Sequence, residues 1–156
     1  MTLWGANPWK GYAYVREYHP HRGGRNPSFG VQDGLTLDFK EGKEPGFSEG
    51  VRDLGEQIRA LGATPPAGLL IVPGHLARPS NAGTPLANAA HAIAGVLGSD
   101  IGSWVDALIR HTDIPKLALG GPRNVEVHLE SIRVEGADSI RGRDVVLLDV
   151  VYPPIH

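Results

Sequence analysis

The sequence predicts an α/β domain with a mainly parallel sheet flanked by helices, and three observations lead to that prediction. Two apolar runs, residues 68–72 and 144–151, have the composition of strands buried on both faces of a parallel sheet. Between them, residues 84–97 carry a helical pattern that begins with Thr84 and Pro85 as cap and first turn and stops at Gly98. A strand, a helix and a second strand in this order are typical of a crossover connection, which joins parallel strands.

Composition limits the domain count and the chemistry. A chain of 156 residues with 41% hydrophobic content suits one domain, 1–156, made of an N-terminal part of strands and a basic loop (1–47) and an α/β core (48–156). The absence of cysteine excludes disulfides, zinc–thiolate sites and cysteine nucleophiles. No apolar stretch approaches the roughly 18 residues of a spanning helix, and the first residues do not resemble a secretion signal. We therefore expect a cytoplasmic protein without membrane contact.

The first sixty residues predict an N-terminal β-hairpin followed by a helix. The aromatic-rich segment 12–18 and the alternating segment Leu35–Phe39 both have strand character, and a polar loop separates them. Ser48 is a suitable helix cap, and Gly62 a suitable stop. The apolar residues of this helix recur at three- and four-residue spacing: Val51, Leu54, Ile58 and Leu61.

The second half of the core predicts further strands. Residues 104–109 fit a short strand or a helical turn, and periodicity does not separate the two. Val125–Val134 carries β-branched residues in near alternation and is predicted as a strand.

The loops that follow the two apolar strands are the first place to expect a ligand, since ligands of open parallel sheets bind beyond the carboxyl ends of the strands. After Val72, the chain reads Pro73-Gly74-His75-Leu76-Ala77-Arg78-Pro79-Ser80. Gly74 would let backbone amides approach a phosphate, and the Arg78 guanidinium offers a bidentate fork. A solvated connecting loop is the alternative.

Residues 110–124 form a second candidate segment. Lys116 and Arg123 place two fixed positive charges in it, so it could close over an anionic substrate and exclude water. As the alternative, Gly120-Gly121-Pro122 is simply a turn before a strand.

The order of these pieces resembles the type I phosphoribosyltransferases, most closely their competence-associated, amidophosphoribosyltransferase-like branch. The resemblance covers about residues 68–149: a strand ending in Val-Pro-Gly-His, a helix, an Arg…Lys-Leu…Arg-Asn-Val stretch, and a strand ending in Leu-Leu-Asp. It implies transfer of phosphoribosyl from phosphoribosyl pyrophosphate (PRPP) to a nitrogen nucleophile, with Mg²⁺ bridging the phosphates. The implied sites are the pyrophosphate loop with Gly74, His75 and Arg78, a catalytic flap with Lys116 and Arg123, and Asp149 at the ribose.

The end of the chain departs from that family. The family's second acid falls on Val150, and Val151-Tyr152-Pro153-Pro154-Ile155-His156 replaces its Thr- and Gly-rich phosphate turn. Two prolines remove backbone donors, and no glycine permits close approach. We expect impaired catalysis, from a truncated or frameshifted product, a domain kept for binding, or a chance similarity. A strand 145–151 left partly uncovered predicts a homodimer.

Two other functions remain open. Arg22 and Arg25 lie in a basic loop beside three tyrosines, which predicts a weak contact with nucleic acid. His19 and His21, with Glu17 or Asp38, could ligate a metal in a hydrolase. Patterns for a phosphate-binding Walker loop and a dinucleotide fold are absent from the sequence.

Overall fold

A computed structural model describes His19 and residues 22–61, 67–115 and 125–149, together with the backbone of two short N-terminal strands. These strands, β1 (Ala6–Asn7) and β2 (Tyr12–Ala13), pair antiparallel. The predicted strand 12–18 coincides with β2 at its first two residues, and the rest of it lies outside the described residues. A short 3₁₀ turn, Arg22–Gly24, follows.

The first helix, α1 (Val31–Glu41), overturns the prediction that Leu35–Phe39 is a strand. Its ends carry strong local signals. The Gly30 amide donates to Asp33 Oδ2 over 2.8 Å at the amino end. Gly42 closes the carboxyl end in the left-handed conformation, with φ 71°. These caps and the packing of buried Phe39 outweigh a short alternation of apolar residues.

The second helix, α2 (Gly46–Leu61), confirms the predicted helix but begins two residues earlier than Ser48. Ser48 is therefore inside the first turn and not its cap, and its hydroxyl donates to Glu44 Oε1 over 2.7 Å. Val51 and Ile58 lie on the buried face, as predicted. The predicted stop at Gly62 lies outside the described residues.

The third helix, α3 (Pro85–Leu97), also confirms its prediction. Thr84 Oγ1 accepts a hydrogen bond from the Ala87 amide over 3.3 Å, and the Gly98 amide closes the other end on the Ala94 carbonyl. Ala87, Ala90 and Ile93 are fully buried, so this helix is the centre of the apolar core.

Three parallel strands form the main sheet, which confirms the α/β class. They are β3 (Ala67–Ile71), β4 (Ile101–Ser103) and β7 (Asp144–Leu148), in the order β4-β3-β7. All five residues of β3 are buried. In β7, however, Val145 is 50% and Leu147 56% exposed, so the prediction of a strand buried on both faces is wrong. One face of β7 packs on the helices, and the other is exposed.

A smaller antiparallel pair joins β5 (Leu108–Arg110) to β6 (Ile132–Val134). Residues 104–109, for which the sequence left a short strand and a helical turn open, thus form a turn followed by the start of a strand. The predicted strand Val125–Val134 is wrong for most of its length, because its first seven residues form helix α4 (Val125–Ser131). Val125 and Leu129 are 65% and 72% exposed, so their spacing does not mark a buried face. A last short helix, α5 (Ala137–Ile140), precedes β7.

No helix in the described part of the chain is long and apolar enough to span a membrane.

Candidate functional site

The carboxyl ends of β3 and β7 meet at one edge of the main sheet. Ile71 and Leu148 are register partners, and the Val72 amide donates to the Leu148 carbonyl over 3.0 Å. The loop after β3 and the exposed carboxylate of Asp149 therefore begin side by side. This register places the loop 73–80 next to Asp149, and these are the two places at which the sequence predicts a ligand.

The loop 73–80 is fixed firmly at its far end. Ser80 Oγ donates to Asp106 Oδ2, and the Asn81 amide to Asp106 Oδ1, each over 2.7 Å. The Asn81 side chain is buried and donates to the carbonyls of Val105 and Leu108, each over 2.8 Å. Because a buried asparagine satisfies two carbonyls of the 105–108 turn, the loop end is rigid and α3 starts from a fixed point.

The middle of the loop is attached to the segment that follows β5. The Arg78 amide donates to the Arg110 carbonyl over 3.1 Å, and the Ala77 amide to Asp113 Oδ1 over 2.6 Å. In return, the Ile114 amide donates to the His75 carbonyl over 2.9 Å. The two segments that the sequence singled out separately, 73–80 and the beginning of 110–124, are thus held together.

Arg110 is the most unusual residue at this place. Its side chain is 2% exposed. Nε donates to the Gly74 carbonyl over 2.5 Å, Nη1 donates to Ser131 Oγ, and Nη2 approaches the Pro73 carbonyl at 3.5 Å and His128 Nδ1 at 3.4 Å. Burial lowers the pKa of Arg110 from its usual value. The carbonyl and hydroxyl partners are uncharged acceptors, so the guanidinium joins the loop to α4 without a carboxylate among these contacts.

Sequence reasoning did not select Arg110 as a site residue, since it treated 110–124 as a mobile segment. One signal was present: an arginine placed directly after the apolar pair Leu108-Ile109 at a strand end. A charged residue that continues an apolar strand is either solvated or buried with partners, and only the tertiary structure decides between these outcomes.

The predicted ligand-binding side chains differ in their placement. Gly74 is exposed, and a Cβ built on it meets no atom within 4 Å, so space is open beside this part of the loop. His75 is half-buried, and the Arg78 side chain is exposed. Lys116 and Arg123 lie outside the described residues, so their predicted place in a flap stays a prediction.

The N-terminal candidates separate into two groups. Arg22 and Arg25 are exposed on the turn around Gly23. His19 contacts Asp33, with its amide donating to Oδ1 over 2.7 Å and Nδ1 lying 3.2 Å from the same oxygen. The predicted metal set with Glu17 and His21 lies outside the described residues. Within the part that the structure describes, no group of three or more His, Asp and Glu side chains is arranged to hold a metal ion.

An open cleft of about 390 Å³ lies beside the carboxyl end of β4. Its walls include Trp104, Asp106 and Glu135. Both carboxylates already have partners, Asp106 in Ser80 and Asn81, and Glu135 in Arg133 Nε at 2.8 Å. Asp106, in the wall of the cleft, therefore holds the far end of the loop 73–80. Both acids of the cleft already make contacts within the chain.

Comparisons of the chain with protein-family models, with curated proteins and with solved structures find no match. The assignment of function therefore depends on the geometry of the loop and its surroundings.

Proposed function

We propose that the chain binds a small phosphorylated ligand, PRPP or a nucleotide, at the sheet edge formed by the loop 73–80 and Asp149. The observation that carries the proposal is the β3–β7 register, which brings a glycine-containing loop and a strand-terminal carboxylate together at the carboxyl end of a parallel sheet. This is where open α/β sheets bind ligands. The resemblance to phosphoribosyltransferases assigns these two features to the pyrophosphate and the ribose.

The first half of the loop is the part we assign to phosphate. The amides of Ala77 and Arg78 are already committed to Asp113 and to the Arg110 carbonyl, so they are not available as phosphate donors. Open space lies beside Gly74, where a ligand can approach the backbone. The Arg78 side chain is exposed, and we assign its guanidinium to the same anion.

Local charge supports an anionic ligand at Gly74. The buried Arg110 guanidinium lies directly behind the Gly74 carbonyl and has neutral acceptors in its observed contacts. A cation in a poorly solvated place acts on a nearby anion more strongly than one in water. Asp113 is the opposing charge, and its Oδ1 is engaged by the Ala77 amide.

The resemblance implies Mg²⁺. The residues at this sheet edge would hold the ion together with the phosphates of a bound ligand. Mg²⁺ is usually held by one or two carboxylates together with substrate phosphates, and Asp149 is an exposed carboxylate at the proposed ribose end. When bound, the ion would neutralise phosphate charge. Asp149 would orient the sugar hydroxyls, and Lys116 and Arg123 keep their proposed role over the pyrophosphate. With Val150 in place of the second acid, we propose that transfer to a nitrogen nucleophile is impaired and binding is the main activity.

Calorimetric titration with PRPP, with and without Mg²⁺, tests the proposal. Asp149→Asn and Arg78→Gln should each weaken binding by about tenfold, the effect of losing one charge-assisted contact. Asp138→Asn and Arg141→Gln are matched controls, since each removes one exposed charge, Asp138 within helix α5 and Arg141 directly after it. Equal losses in the controls and in the site variants would contradict the assignment.

The nucleic-acid alternative has one supporting observation, the exposure of both Arg22 and Arg25. If it holds, single-stranded oligonucleotides bind at low salt, and the affinity falls steeply as salt is added. An Arg22→Gln, Arg25→Gln double variant then loses oligonucleotide binding and keeps PRPP binding.

A further inference from the structure

We propose that strand β7 pairs antiparallel with β7 of a second copy of this chain, around a two-fold axis at Val146. Among the described strands, β7 pairs with β3 alone and forms the end of its sheet. An edge strand presents a row of backbone donors and acceptors that a second strand can use. The choice of partner follows from the backbone direction and the side-chain pattern of β7.

The backbone direction of β7 selects which residues can pair across the edge. The Leu148 carbonyl accepts from the Val72 amide and so points toward β3. Backbone groups alternate in direction along a strand, so those of Val145 and Leu147 point away from β3, toward the open edge. A second strand at this edge can therefore form backbone hydrogen bonds only with the odd-numbered residues of β7, Val145 and Leu147.

The same odd positions carry the exposed apolar side chains of β7. Val145 and Leu147 are 50% and 56% exposed, while Leu148 is 6% exposed. Arg143 lies on this face too, because its guanidinium is 5.9 Å from the centroid of Trp104, whose ring covers Gly68, the register partner of Val145. Read along the exposed face, β7 and its two flanking residues give the pattern Arg143, Val145, Leu147, Asp149.

When two copies of this strand run antiparallel, the basic end of one meets the acidic end of the other, and the apolar residues meet in the middle. An antiparallel copy centred on Val146 places Val145 opposite Leu147 and Arg143 opposite Asp149, and does so twice. Directly opposed residues in antiparallel strands have neighbouring side chains, so the pairing joins four apolar side chains between two opposite-charge pairs. A shift of two residues in either direction separates the charges and exposes part of the apolar strip. Self-complementarity of this kind is what a two-fold interface requires.

Two single charge reversals test the register sharply. Arg143→Asp places two acids opposite each other in the homodimer, and Asp149→Arg places two arginines there. Each variant alone should associate at least about tenfold more weakly than the natural sequence, since like charges directly opposed are destabilising. An equimolar mixture restores association, because in the mixed dimer every acid meets an arginine. Restoration also demonstrates that both variants are folded.

Sedimentation velocity over a wide concentration range measures these equilibria, without ligand because Asp149 also belongs to the proposed ligand site. Arg141→Asp is the control, since it makes the same charge change two residues before Arg143 and should leave association unchanged. A natural chain that is monomeric at every concentration would overturn the proposal. So would a dimer that neither reversal weakens, or variants whose mixture does not recover, because each of these outcomes excludes the β7 edge as the interface.

Discussion

Arg110 explains how the loop 73–80 holds its shape. Its guanidinium connects the carbonyls of Pro73 and Gly74 to Ser131 on α4, and no side chain of different shape can supply these donors together. The sequence identified the loop and its glycine but not this support, because an arginine at a strand end is more often solvated than buried.

Replacing Arg110 should therefore affect stability and ligand binding together. Arg110→Met leaves the Pro73 and Gly74 carbonyls and the Ser131 hydroxyl without this donor, and we expect a loss of about 2–4 kcal/mol in the free energy of unfolding. Arg110→Lys keeps the charge but not the fork, and should recover less than half of that loss. Urea unfolding measures both. Arg133→Met, on exposed β6, is the matched control and should cost under about 1 kcal/mol.

Asp33 is a second residue whose role only the structure reveals. Burial alone would raise the pKa of this carboxyl, but hydrogen bonds from the amides of His19 and Gly30, with the contact to the His19 ring, lower the pKa below its ordinary value of 3.8. A carboxyl with a lowered pKa in the folded state stabilises the fold above its unfolded pKa, and that contribution is lost as pH falls through the folded pKa.

We accordingly expect acid sensitivity at the start of α1. Asp33→Asn keeps a capping oxygen but removes the titration, so it should cost about 1 kcal/mol at neutral pH and almost nothing once the pH lies below the folded-state pKa of Asp33. Urea unfolding at a series of pH values measures the difference between the two proteins. A difference that stays constant with pH would show that the carboxylate charge contributes nothing there.

At the scale of elements, capped and strongly periodic segments were predictable and short alternating ones were not. Helix α3 has a threonine cap, a proline in its first turn and a small-residue face that packs in the core, so sequence and structure agree. The alternation at 35–39 was a poor guide, because Phe39 is buried but Leu35 and Leu37 are only partly buried. In Val125–Val134, the exposed Val125 and Leu129 imitate a strand pattern without marking a core face.

The packing of α1 on α2 depends on a close approach at Gly50. A Cβ at this position would penetrate the Phe39 ring, whereas a Cβ at Gly95, on exposed α3 surface, meets nothing within 4 Å. Gly50→Ala should therefore lower the free energy of unfolding by about 1–3 kcal/mol, by overpacking. Gly95→Ala should raise it by about 0.5–1 kcal/mol, since alanine favours a helix. Thermal unfolding compares the pair, and destabilisation by both would contradict the packing described.

At the scale of the whole molecule, the sequence predicted the α/β class and the strands β3 and β7, but not that one face of β7 is exposed. Composition identifies an apolar strand, and it does not say whether a neighbouring element covers both faces. For β7, one face contacts the core through Leu148, and Val145 and Leu147 remain exposed on the other. The same limit applies to the candidate site, since Gly74 was proposed from its loop and Asp149 from the family resemblance, but only the structure gives the sheet register that places their segments side by side.

We propose that the sheet edge formed by the loop 73–80 and Asp149 binds a phosphorylated ligand. Titration of the folded protein with PRPP in a calorimeter, in the presence and absence of Mg²⁺, is the first experiment to make. We expect saturable binding that Mg²⁺ strengthens and that Asp149→Asn weakens. Absence of heat from a protein that unfolds cooperatively, or binding that is indifferent to Asp149, would contradict it.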